Sequence, residues 1–342
     1  MVKGKGRHVA VLGAGSWGSA LSLILAKNGH SVMLWGRDSD HVASLNSERE
    51  NRHYLSGFPF PDSIIVTDSL SKAVNDAWAV LFAVPCGAMR PVAQAVKGML
   101  PESSLLISGA KGLEQETGKR MSEVLIEVIE NARGRLTVLS GPNLAVEMAR
   151  GVPTAAVAAA YEPEAAQKVQ RIFSHQSHPT FRIYTGHDVV GVELGGAIKN
   201  VIAIGSGVCE SLGYGDNARA AMLTRGLSEA IRLGEQQGAE ARTFAGLSGV
   251  GDLIATGYSR LSRNYRVGIG LGQGLTLEQT LNDLGQVAEG VPTTRVLCEL
   301  AHRSGVDMPL CRALYSLLFE GQPASDVIRS LMLRPLRHET DF

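Results

Sequence analysis

The first half of the chain alternates short runs of branched apolar residues with longer stretches in which apolar positions recur at helical spacing. Such short runs are typical of strands that are buried on both faces. Strands separated by helices indicate βαβ units, which join parallel strands. The pattern therefore predicts a doubly wound, mainly parallel sheet. The predicted strands comprise residues 8–12, 31–35, 64–66, 79–84, 105–107 and 137–139.

Two more strand-like runs, residues 155–159 and 181–184, flank a helical stretch at residues 163–173, and we expect them to extend the sheet. From Asp188 onward the pattern changes to long helical stretches without convincing strand alternation. We therefore expect an α/β N-terminal domain over residues 1–187, followed by an all-α C-terminal domain over residues 188–342. Glycines interrupt the helical stretches at residues 213–215, 246–251 and 272–274.

Composition and charge narrow the class of protein. The formal net charge is zero and aromatic residues make up 5% of the chain, which argues against a nucleic-acid or acidic-membrane partner. The most membrane-like run, residues 189–208, contains Glu193, Lys199 and Asn200, which would be costly in lipid, so we interpret it as a buried helix of a protein that is not membrane-embedded.

The cysteines are scattered, and the apolar stretch near the start of the chain is too short for the core of a signal peptide. We expect free thiols and a cytoplasmic location. His175 and His178 have the wrong spacing for a helical metal pair, so we assign them no function and predict no metal site. The cysteines are Cys86, Cys209, Cys298 and Cys311.

A glycine motif of the G-x-G-x-x-G type follows the first predicted strand and opens a helical pattern. Its alternative interpretation is an ordinary glycine-rich turn, but the strand and helix around it favour a dinucleotide-binding Rossmann domain. The glycines let the backbone approach a pyrophosphate, which the helix N-terminus would bind. The motif comprises Gly13, Ala14, Gly15, Ser16, Trp17 and Gly18.

The end of the second predicted strand bears on the choice of cofactor. An NAD-selective site usually places an acidic residue there, whereas this chain has Arg37, whose guanidinium can bind a 2′-phosphate. We therefore expect NADPH to be preferred, with NADH possible. Asp38 and Asp40 lie close by, and helix capping is the simpler role for them. Arg37 could alternatively be a solvated surface residue.

Polar residues in apolar or glycine-flanked surroundings suggest a second site. Lys199 and Asn200 interrupt the apolar run noted above, and each costs free energy in a buried helix unless it has a partner. Lys111 follows the fifth predicted strand in a glycine-flanked loop, where it is either solvated or functional. Asp252 lies between glycines and an apolar stretch, where helix capping is the alternative to a catalytic role.

The Ser262, Arg263 and Asn264 triplet combines a hydroxyl, a guanidinium and an amide, which together suit an anion such as phosphate. Its alternative interpretation is a charged surface turn. Glu289 lies on a loop before a helix that could open with Pro292.

With these segments in view, the chain closely resembles the NAD(P)-dependent glycerol-3-phosphate dehydrogenases of the bacterial type. The resemblance runs nearly from end to end. The glycine motif is shared with many proteins, but the lysine helix, the Gly-Asp-Leu segment and the Ser-Arg-Asn triplet are far more specific. The resembling segments are residues 13–18, 111–114, 141–147, 193–200, 215–217, 246–253 and 262–264.

The resemblance implies reversible reduction of dihydroxyacetone phosphate to sn-glycerol 3-phosphate, a phospholipid precursor, by an NAD(P)H-dependent cytoplasmic homodimer. It implies that Lys199 transfers the proton, that Asp252 orients it, and that Lys111 and Asn200 assist. Lys111 would lower the pKa of Lys199 and Asp252 would raise it, and the sequence leaves that balance open. Asn143 stands where bacterial members commonly have Ser or Thr. The implied cofactor contacts are the glycine motif, Arg37, Lys111, Ala145, Arg263, Val287 and Glu289, and the implied substrate contacts are Lys111, Gly141, Asn143, Lys199, Asp252, Ser262, Arg263 and Asn264.

Two alternatives stay open at this point. One is another dehydrogenase with a Rossmann domain and a helical domain, of the 3-hydroxyisobutyrate or 6-phosphogluconate type, although the Ser-Arg-Asn and Gly-Asp-Leu segments argue against it. The other is a nucleotide-sensing protein on a dehydrogenase fold, because a fold does not dictate a function. That alternative predicts NADPH binding without turnover.

Overall fold

The structure is a computed structural model that describes residues 8–174, 179–336 and 338–339. His175 and His178 lie outside the described residues. The chain groups into two compact units, the first comprising Met1–Ala110 and Met121–Val189 and the second Lys111–Arg120 and Val190–Phe342. The short segment Lys111–Arg120 thus belongs by its contacts to the second unit, and the domain boundary after residue 187 stays a prediction.

The first unit contains an eight-stranded sheet in the order β10-β9-β8-β7-β6-β1-β2-β5. All neighbouring pairs are parallel except β8 and β9. The predicted doubly wound fold is therefore confirmed, including its extension by two late strands. The strands are β1 (Val9–Leu12), β2 (Val32–Trp35), β5 (Ile64–Thr67), β6 (Ala79–Phe82), β7 (Leu105–Ser108), β8 (Leu136–Ser140), β9 (Thr154–Ala160) and β10 (Phe181–Gly186).

The central strand β1 shows why both faces of this sheet are covered. All of its residues are buried, and they alternate between two hydrophobic clusters. Val9 and Val11 join the cluster that contains Leu21 of the first helix, whereas Leu12 joins the cluster that contains Met89. Because successive side chains of a strand point to opposite faces, helices must cover both sides of the sheet. This accounts for apolar runs without polar alternation.

Helices connect most of the strands of this unit. A short antiparallel pair, β3 (Glu50–Asn51) and β4 (Leu55–Pro59), forms a separate two-stranded sheet that the apolar pattern did not predict, because its residues are mostly polar or exposed. The helices are α1 (Ser16–Lys27), α2 (Ser39–Glu48), α3 (Leu70–Val74), α4 (Cys86–Val96), α5 (Met121–Val128), α6 (Ala145–Arg150) and α7 (Pro163–Phe173), with a 3₁₀ turn at Arg133–Arg135.

The second unit is helical, as predicted, and the predicted glycine breaks lie at or near the ends of helices. Its described residues have a hydrophobic core that draws on most of its helices. A π-type turn at Leu247–Gly251 precedes Asp252. The helices are α8 (Val189–Ser211), α9 (Gly215–Gln236), α10 (Ala241–Phe244), α11 (Asp252–Tyr258), α12 (Arg263–Gly272), α13 (Leu277–Leu284), α14 (Gly290–Ser304), α15 (Pro309–Phe319) and α16 (Ala324–Met332).

Helix α8 is the central helix of this unit. It is long and apolar enough to cross a membrane, but 94% of its most apolar 18-residue stretch is buried inside the protein, as in a core helix. Glycines let α12 pack directly on its backbone. A Cβ atom on Gly207 would lie 2.1 Å from the carbonyl oxygen of Tyr265, and one on Gly268 would lie 1.9 Å from that of Ile204. The small residues of the run therefore permit close helix packing.

Candidate active site

The glycine motif of the first unit forms a tight turn between β1 and α1. Gly13 has a φ of +123°, and a Cβ atom there would lie 2.6 Å from the carbonyl oxygen of Ala83. A Cβ atom on Gly18 would lie 1.8 Å from the carbonyl oxygen of Gly13. The backbone segments thus touch at positions where only glycine fits.

Gly15 differs from these two glycines. It is the residue before α1, and a Cβ atom on it would meet nothing within 4 Å. The space beside it is open where the helix N-terminus presents its amide groups, which suits the close approach of a pyrophosphate. The first turn of α1 contains no acidic side chain that would repel one. The loop therefore fits a dinucleotide.

Two side chains hold this loop, one from the motif and one from outside it. The indole of Trp17 donates from Nε1 to the carbonyl oxygen of Gly109 at 3.0 Å. Asn51, which is fully buried, donates from Nδ2 to the carbonyl oxygen of Ala14 at 2.9 Å and to Oγ of Ser19 at 2.8 Å. Sequence analysis missed Asn51, because a polar residue in a very short strand carries no motif.

Arg37 follows β2 and is exposed. Its neighbour Asp38 is the N-cap of α2, and its carboxylate accepts from the backbone amide of His41 at 2.9 Å. That hydrogen bond is the main cause of the lowered pKa of Asp38. Helix capping therefore accounts for Asp38.

The end of β8 contributes further candidate residues. Gly141 has a φ of +147°, and a Cβ atom there would lie 2.9 Å from the Cα atom of Ala156 on β9. Ala145 begins α6. Between them lies Asn143, whose buried side-chain nitrogen and oxygen have no hydrogen-bond partner among the described residues. Buried amides are normally paired, so this one is suited to contact a ligand.

In the second unit, Asp252 joins two lysines. Lys199 on α8 donates from Nζ to Oδ1 of Asp252 at 2.9 Å, and Lys111 donates from Nζ to Oδ2 at 2.6 Å. Asp252 and Lys199 are 1% and 8% exposed. One carboxylate thus holds two ammonium groups, each on its own oxygen, and the group as a whole keeps one positive charge.

Burial and charge set the pKa of Lys199. The net effect lowers the pKa of this lysine from 10.5 to about 8, and burial is the largest cause of the shift. The charge and hydrogen bond of Asp252 raise it, whereas the charges of Lys111 and Arg263 lower it further. The sequence left open the balance between Lys111 and Asp252, and there Asp252 has the larger effect, so the pKa of Lys199 is lowered because burial outweighs the carboxylate.

Asp252 is ionised for the complementary reason. Burial raises the pKa of its carboxyl, but the charges and hydrogen bonds of Lys111 and Lys199 outweigh burial and hold the pKa below its usual value. Asp252 is the first residue of α11, and no side-chain cap bond forms at the start of that helix. The capping alternative is therefore wrong, because both carboxylate oxygens bind lysines.

Thr256 completes this group, and sequence analysis missed it. Its hydroxyl accepts from Nζ of Lys199 at 2.7 Å and donates to Oδ1 of Asp252 at 3.2 Å. The signal was available, because residues four apart lie on the same face of a helix and Thr256 is four residues after Asp252.

Asn200 and Asn264 bind each other instead of Lys199. Nδ2 of Asn264 donates to Oδ1 of Asn200 at 2.8 Å, and the backbone amide of Gly290 donates to Oδ1 of Asn264 at 2.8 Å. Asn200 also donates to the carbonyl oxygen of Gly196 at 3.3 Å. The two amides thus link α8, α12 and the start of α14.

The remaining candidates lie at helix starts. Ser262 is the N-cap of α12 and accepts from the backbone amide of Tyr265 at 3.2 Å, and Arg263 is the first residue of that helix. Both Ser262 and Asn264 are buried, so the triplet is not a solvated surface turn. Val287 is 50% exposed, and Glu289 precedes α14. That helix begins at Gly290, two residues before the predicted start at Pro292. Pro292 is tolerated there because the first amides of a helix have no partner within the helix.

Two family models match the chain, and together they span most of it. Residues 8–166 match the N-terminal model of NAD-dependent glycerol-3-phosphate dehydrogenase, and residues 188–329 match its C-terminal model. The chain belongs to the NAD-dependent glycerol-3-phosphate dehydrogenase family. The resemblance inferred from the motifs is thereby confirmed.

Individual glycerol-3-phosphate dehydrogenases match over nearly their whole length. The chain is 48% identical over 334 residues to glycerol-3-phosphate dehydrogenase [NAD(P)+] of Carboxydothermus hydrogenoformans, covering 98% of each protein. The crystal structure of glycerol-3-phosphate dehydrogenase from Coxiella burnetii is similar with a TM-score of 0.92 and 35% identity, covering 96% of this chain and 99% of that one. The enzyme of Plasmodium falciparum gives a TM-score of 0.85 at 25% identity, covering 97% and 96%.

The candidate site residues of this dehydrogenase divide between the two units. The glycine loop, Arg37, Gly141, Asn143 and Ala145 belong to the first unit. The second unit contains Lys199, Asp252, the Ser-Arg-Asn triplet, Val287 and Glu289. It also contains Lys111, the first residue of the segment Lys111–Arg120, which lies along the chain between two parts of the first unit.

Proposed function

We propose that this chain catalyses the reversible reduction of dihydroxyacetone phosphate to sn-glycerol 3-phosphate with NAD(P)H. The observation that carries the proposal is Lys199, a buried ammonium held by Asp252 and Thr256 with a pKa of about 8. Reduction of a ketone needs a proton donor whose pKa lies near the working pH, and a lysine reaches that range only when burial or other cations lower its pKa.

The roles in the reaction follow from these groups. A nicotinamide cofactor, when bound, would supply the hydride that the carbonyl carbon accepts. Lys199 stabilises the negative charge that develops on the carbonyl oxygen and then donates its proton there. Asp252 and Thr256 orient the ammonium. Once Lys199 is neutral, Lys111 still balances the charge of Asp252, so donation of the proton leaves no unpaired carboxylate.

The charge of the group suits a phosphorylated substrate. Lys111 and Lys199 against Asp252 leave one net positive charge before Arg263 is counted, and a phosphate dianion is attracted to such a site. We assign the phosphate to Arg263, with support from Ser262, Lys111, Gly141 and Asn143. Asn264 already accepts from Gly290 and donates to Asn200, so we assign it mainly to holding the start of α12, with one amide hydrogen left for substrate.

For the cofactor we propose NADPH in preference to NADH, with the glycine loop holding the pyrophosphate and Arg37 the 2′-phosphate. Ala145, Val287, Glu289, Lys111 and Arg263 are further proposed contacts. The test is the KM for each cofactor in the wild type and in Arg37→Ala. A selective rise for NADPH, by about 10-fold for a lost charged hydrogen bond, supports the proposal, and equal losses for both cofactors contradict it.

In the cell, we propose that the enzyme is a cytoplasmic homodimer that supplies glycerol 3-phosphate for phospholipid synthesis. Its neutral net charge and the burial of its apolar helix α8 support a protein that is not membrane-embedded.

One assay decides the activity. The absorbance of NADPH is followed with dihydroxyacetone phosphate, and with the substrates of the 3-hydroxyisobutyrate and 6-phosphogluconate dehydrogenases tested in their oxidising direction. We expect turnover with dihydroxyacetone phosphate and none with the others. Turnover of one of the others would favour the rival dehydrogenase class. NADPH binding without turnover of any substrate would favour a nucleotide sensor.

A further inference from the structure

The segment Lys111–Arg120 is a hairpin that the chain inserts between β7 and α5, two elements of the first unit, while its own contacts lie in the second. Leu113 and Arg120 form an antiparallel bridge. Inside that bridge, the backbone amide of Glu114 donates to the carbonyl oxygen of Lys119 at 2.9 Å. Arg120 therefore lies across from Leu113, two residues from Lys111.

Two ion pairs, one hydrogen bond and one apolar side chain are among the contacts that hold this hairpin in the second unit. The hydrogen bond runs from Nδ2 of Asn200 to the backbone carbonyl oxygen of Lys111 at 3.5 Å. At the start of the hairpin, Lys111 binds Asp252, as described above. At its end, Arg120 donates from a guanidinium nitrogen to Oε2 of Glu193 on α8 at 2.8 Å, and the two side chains are only 13% and 3% exposed. Between them, Leu113 is 2% exposed and belongs to the core of the second unit.

We propose that Arg120 and Glu193 are positioning residues that hold the hairpin so that Lys111 stays on Asp252. Neither residue touches that carboxylate in the described contacts, and the active-site roles proposed above do not use them. This inference rests on the proposed function for its kinetic consequence, but its structural content concerns only the placement of Lys111.

The buried pair is suited to this task because it cannot rearrange cheaply. Breaking a buried ion pair leaves an unpaired charge out of water, so the pair keeps a defined geometry. A long lysine side chain, in contrast, has many rotamers and loses entropy when it is fixed. The Arg120–Glu193 pair holds the end of the hairpin, and the hydrogen bond from Asn200 holds the backbone carbonyl of Lys111. The lysine side chain is then left to be ordered by Asp252.

Displacement of Lys111 would be visible at Lys199. The charges that shift the pKa of Lys199 include those of Asp252, Lys111 and Arg263. Withdrawing the positive charge of Lys111 removes a like charge from the neighbourhood of Lys199 and removes a competing ammonium from Asp252. Both changes favour the protonated form of Lys199, so its pKa rises.

The first experiment measures how readily the amine of Lys111 reacts with a reagent in solution, and it does not depend on enzyme turnover. The folded protein is treated briefly with an acylating reagent for amines, and peptide masses give the extent of reaction at Lys111 relative to the exposed Lys97. We expect Glu193→Gln to raise the reaction at Lys111 about tenfold, because a hairpin held less firmly opens more often. Glu193→Asp keeps the negative charge on a shorter side chain, so its extent of reaction at Lys111 should lie between those of the wild type and Glu193→Gln.

A control in the same unit is Glu210→Gln, which removes the ion pairs of Glu210 with Arg219 at 2.8 Å and with Arg260 at 3.7 Å. It should leave the reaction at Lys111 unchanged. If Glu193→Gln does not fold, as a thermal melt would show, Glu193→Asp supplies the measurement. Unchanged reaction at Lys111 in a folded Glu193 variant overturns the proposal, even if the enzyme turns over dihydroxyacetone phosphate.

The second experiment is kinetic and separates positioning from a general structural effect. We expect Glu193→Gln and Lys111→Ala each to move the alkaline limb of the kcat profile to higher pH, and the double variant to move it no further than Lys111→Ala alone. Additive shifts would show that Glu193 acts independently of Lys111 and would overturn the proposal. A wild type without turnover contradicts the proposed function, while raised acylation of Lys111 would still support the positioning pair.

Discussion

The nucleotide loop and the lysine–aspartate group are built in opposite ways. The loop of the first unit is made of backbone, and at Gly13 and Gly18 the neighbouring atoms leave no room for a side chain. The group of the second unit is made of charged side chains from three separate segments, and its chemistry depends on burial. A backbone site is specified by which residues are small, whereas a side-chain site is specified by what surrounds it. The two sites should therefore respond differently to substitution.

The largest effect is expected at Lys199. Lys199→Ala removes the proton donor and should lower kcat by roughly 10²–10⁴-fold, the usual contribution of general acid catalysis. The dissociation constant of NADPH, measured by fluorescence titration, should stay near that of the wild type because the glycine loop belongs to the other unit. Retained turnover would show that the proton comes from another group, so the lysine–aspartate group could not be contrasted with the glycine loop as the chemical site.

The backbone site is tested by two glycines in the same motif. Gly13→Ala forces a Cβ atom against the carbonyl oxygen of Ala83 at a positive φ, which should cost about 1–3 kcal/mol of stability in thermal or urea unfolding. Gly15 has an ordinary φ of −81° and open space, so Gly15→Ala should leave stability unchanged and weaken NADPH binding only. Equal loss of stability in both variants would contradict the backbone account.

A third prediction concerns the phosphate of the substrate. Arg263→Ala should raise the KM for dihydroxyacetone phosphate by about 10–100-fold, since a hydrogen bond to a charged group contributes about 1.5–3 kcal/mol. The matched control is Arg266→Ala, an exposed arginine one turn further along the same helix, which should change KM little. An unchanged KM in Arg263→Ala would mean that other residues hold the phosphate.

The smallest effect is a shift in pH dependence. Ketone reduction needs protonated Lys199, so kcat for reduction should fall as the pH rises through about 8, while the reverse oxidation, which needs the neutral amine, should rise over the same range. Thr256→Val removes one hydrogen-bond acceptor of the Lys199 ammonium and should move both pH dependences to lower pH by a fraction of a unit. Reduction that rises with pH while oxidation falls would contradict the acid role of Lys199.

Much of the first unit could be predicted from the sequence because most of its strands have a local sequence pattern. The buried strands are continuous apolar runs, and the glycine motif lies between a strand and a helix. The hairpin of β3 and β4 was not predicted because its residues are mostly polar or exposed. Asn51 of β3 was therefore missed as well, although its side chain holds the glycine loop.

In the second unit the residue types were visible but their partners were not. Lys199, Asp252 and Lys111 were singled out because polar groups in apolar or glycine-rich surroundings need a reason. Thr256 was overlooked, and the mutual pairing of Asn200 and Asn264 was not expected. Thr256 did have a local signal in its spacing from Asp252. The contacts of Asp252 with the two lysines and of Asn200 with Asn264 join residues 53 to 141 positions apart along the chain, and no local pattern reports a contact of that range.

The sequence by itself determined the class of fold, the nucleotide motif, the family and the identity of the reactive lysine, because each depends on local periodicity, on residues that must be small, or on motifs. Only the tertiary structure decided the pKa of Lys199, the sharing of Asp252 between two lysines and the attachment of the Lys111–Arg120 hairpin to the helical unit. Those properties depend on desolvation and on distances between segments remote in the chain, and both are set only when the chain is packed.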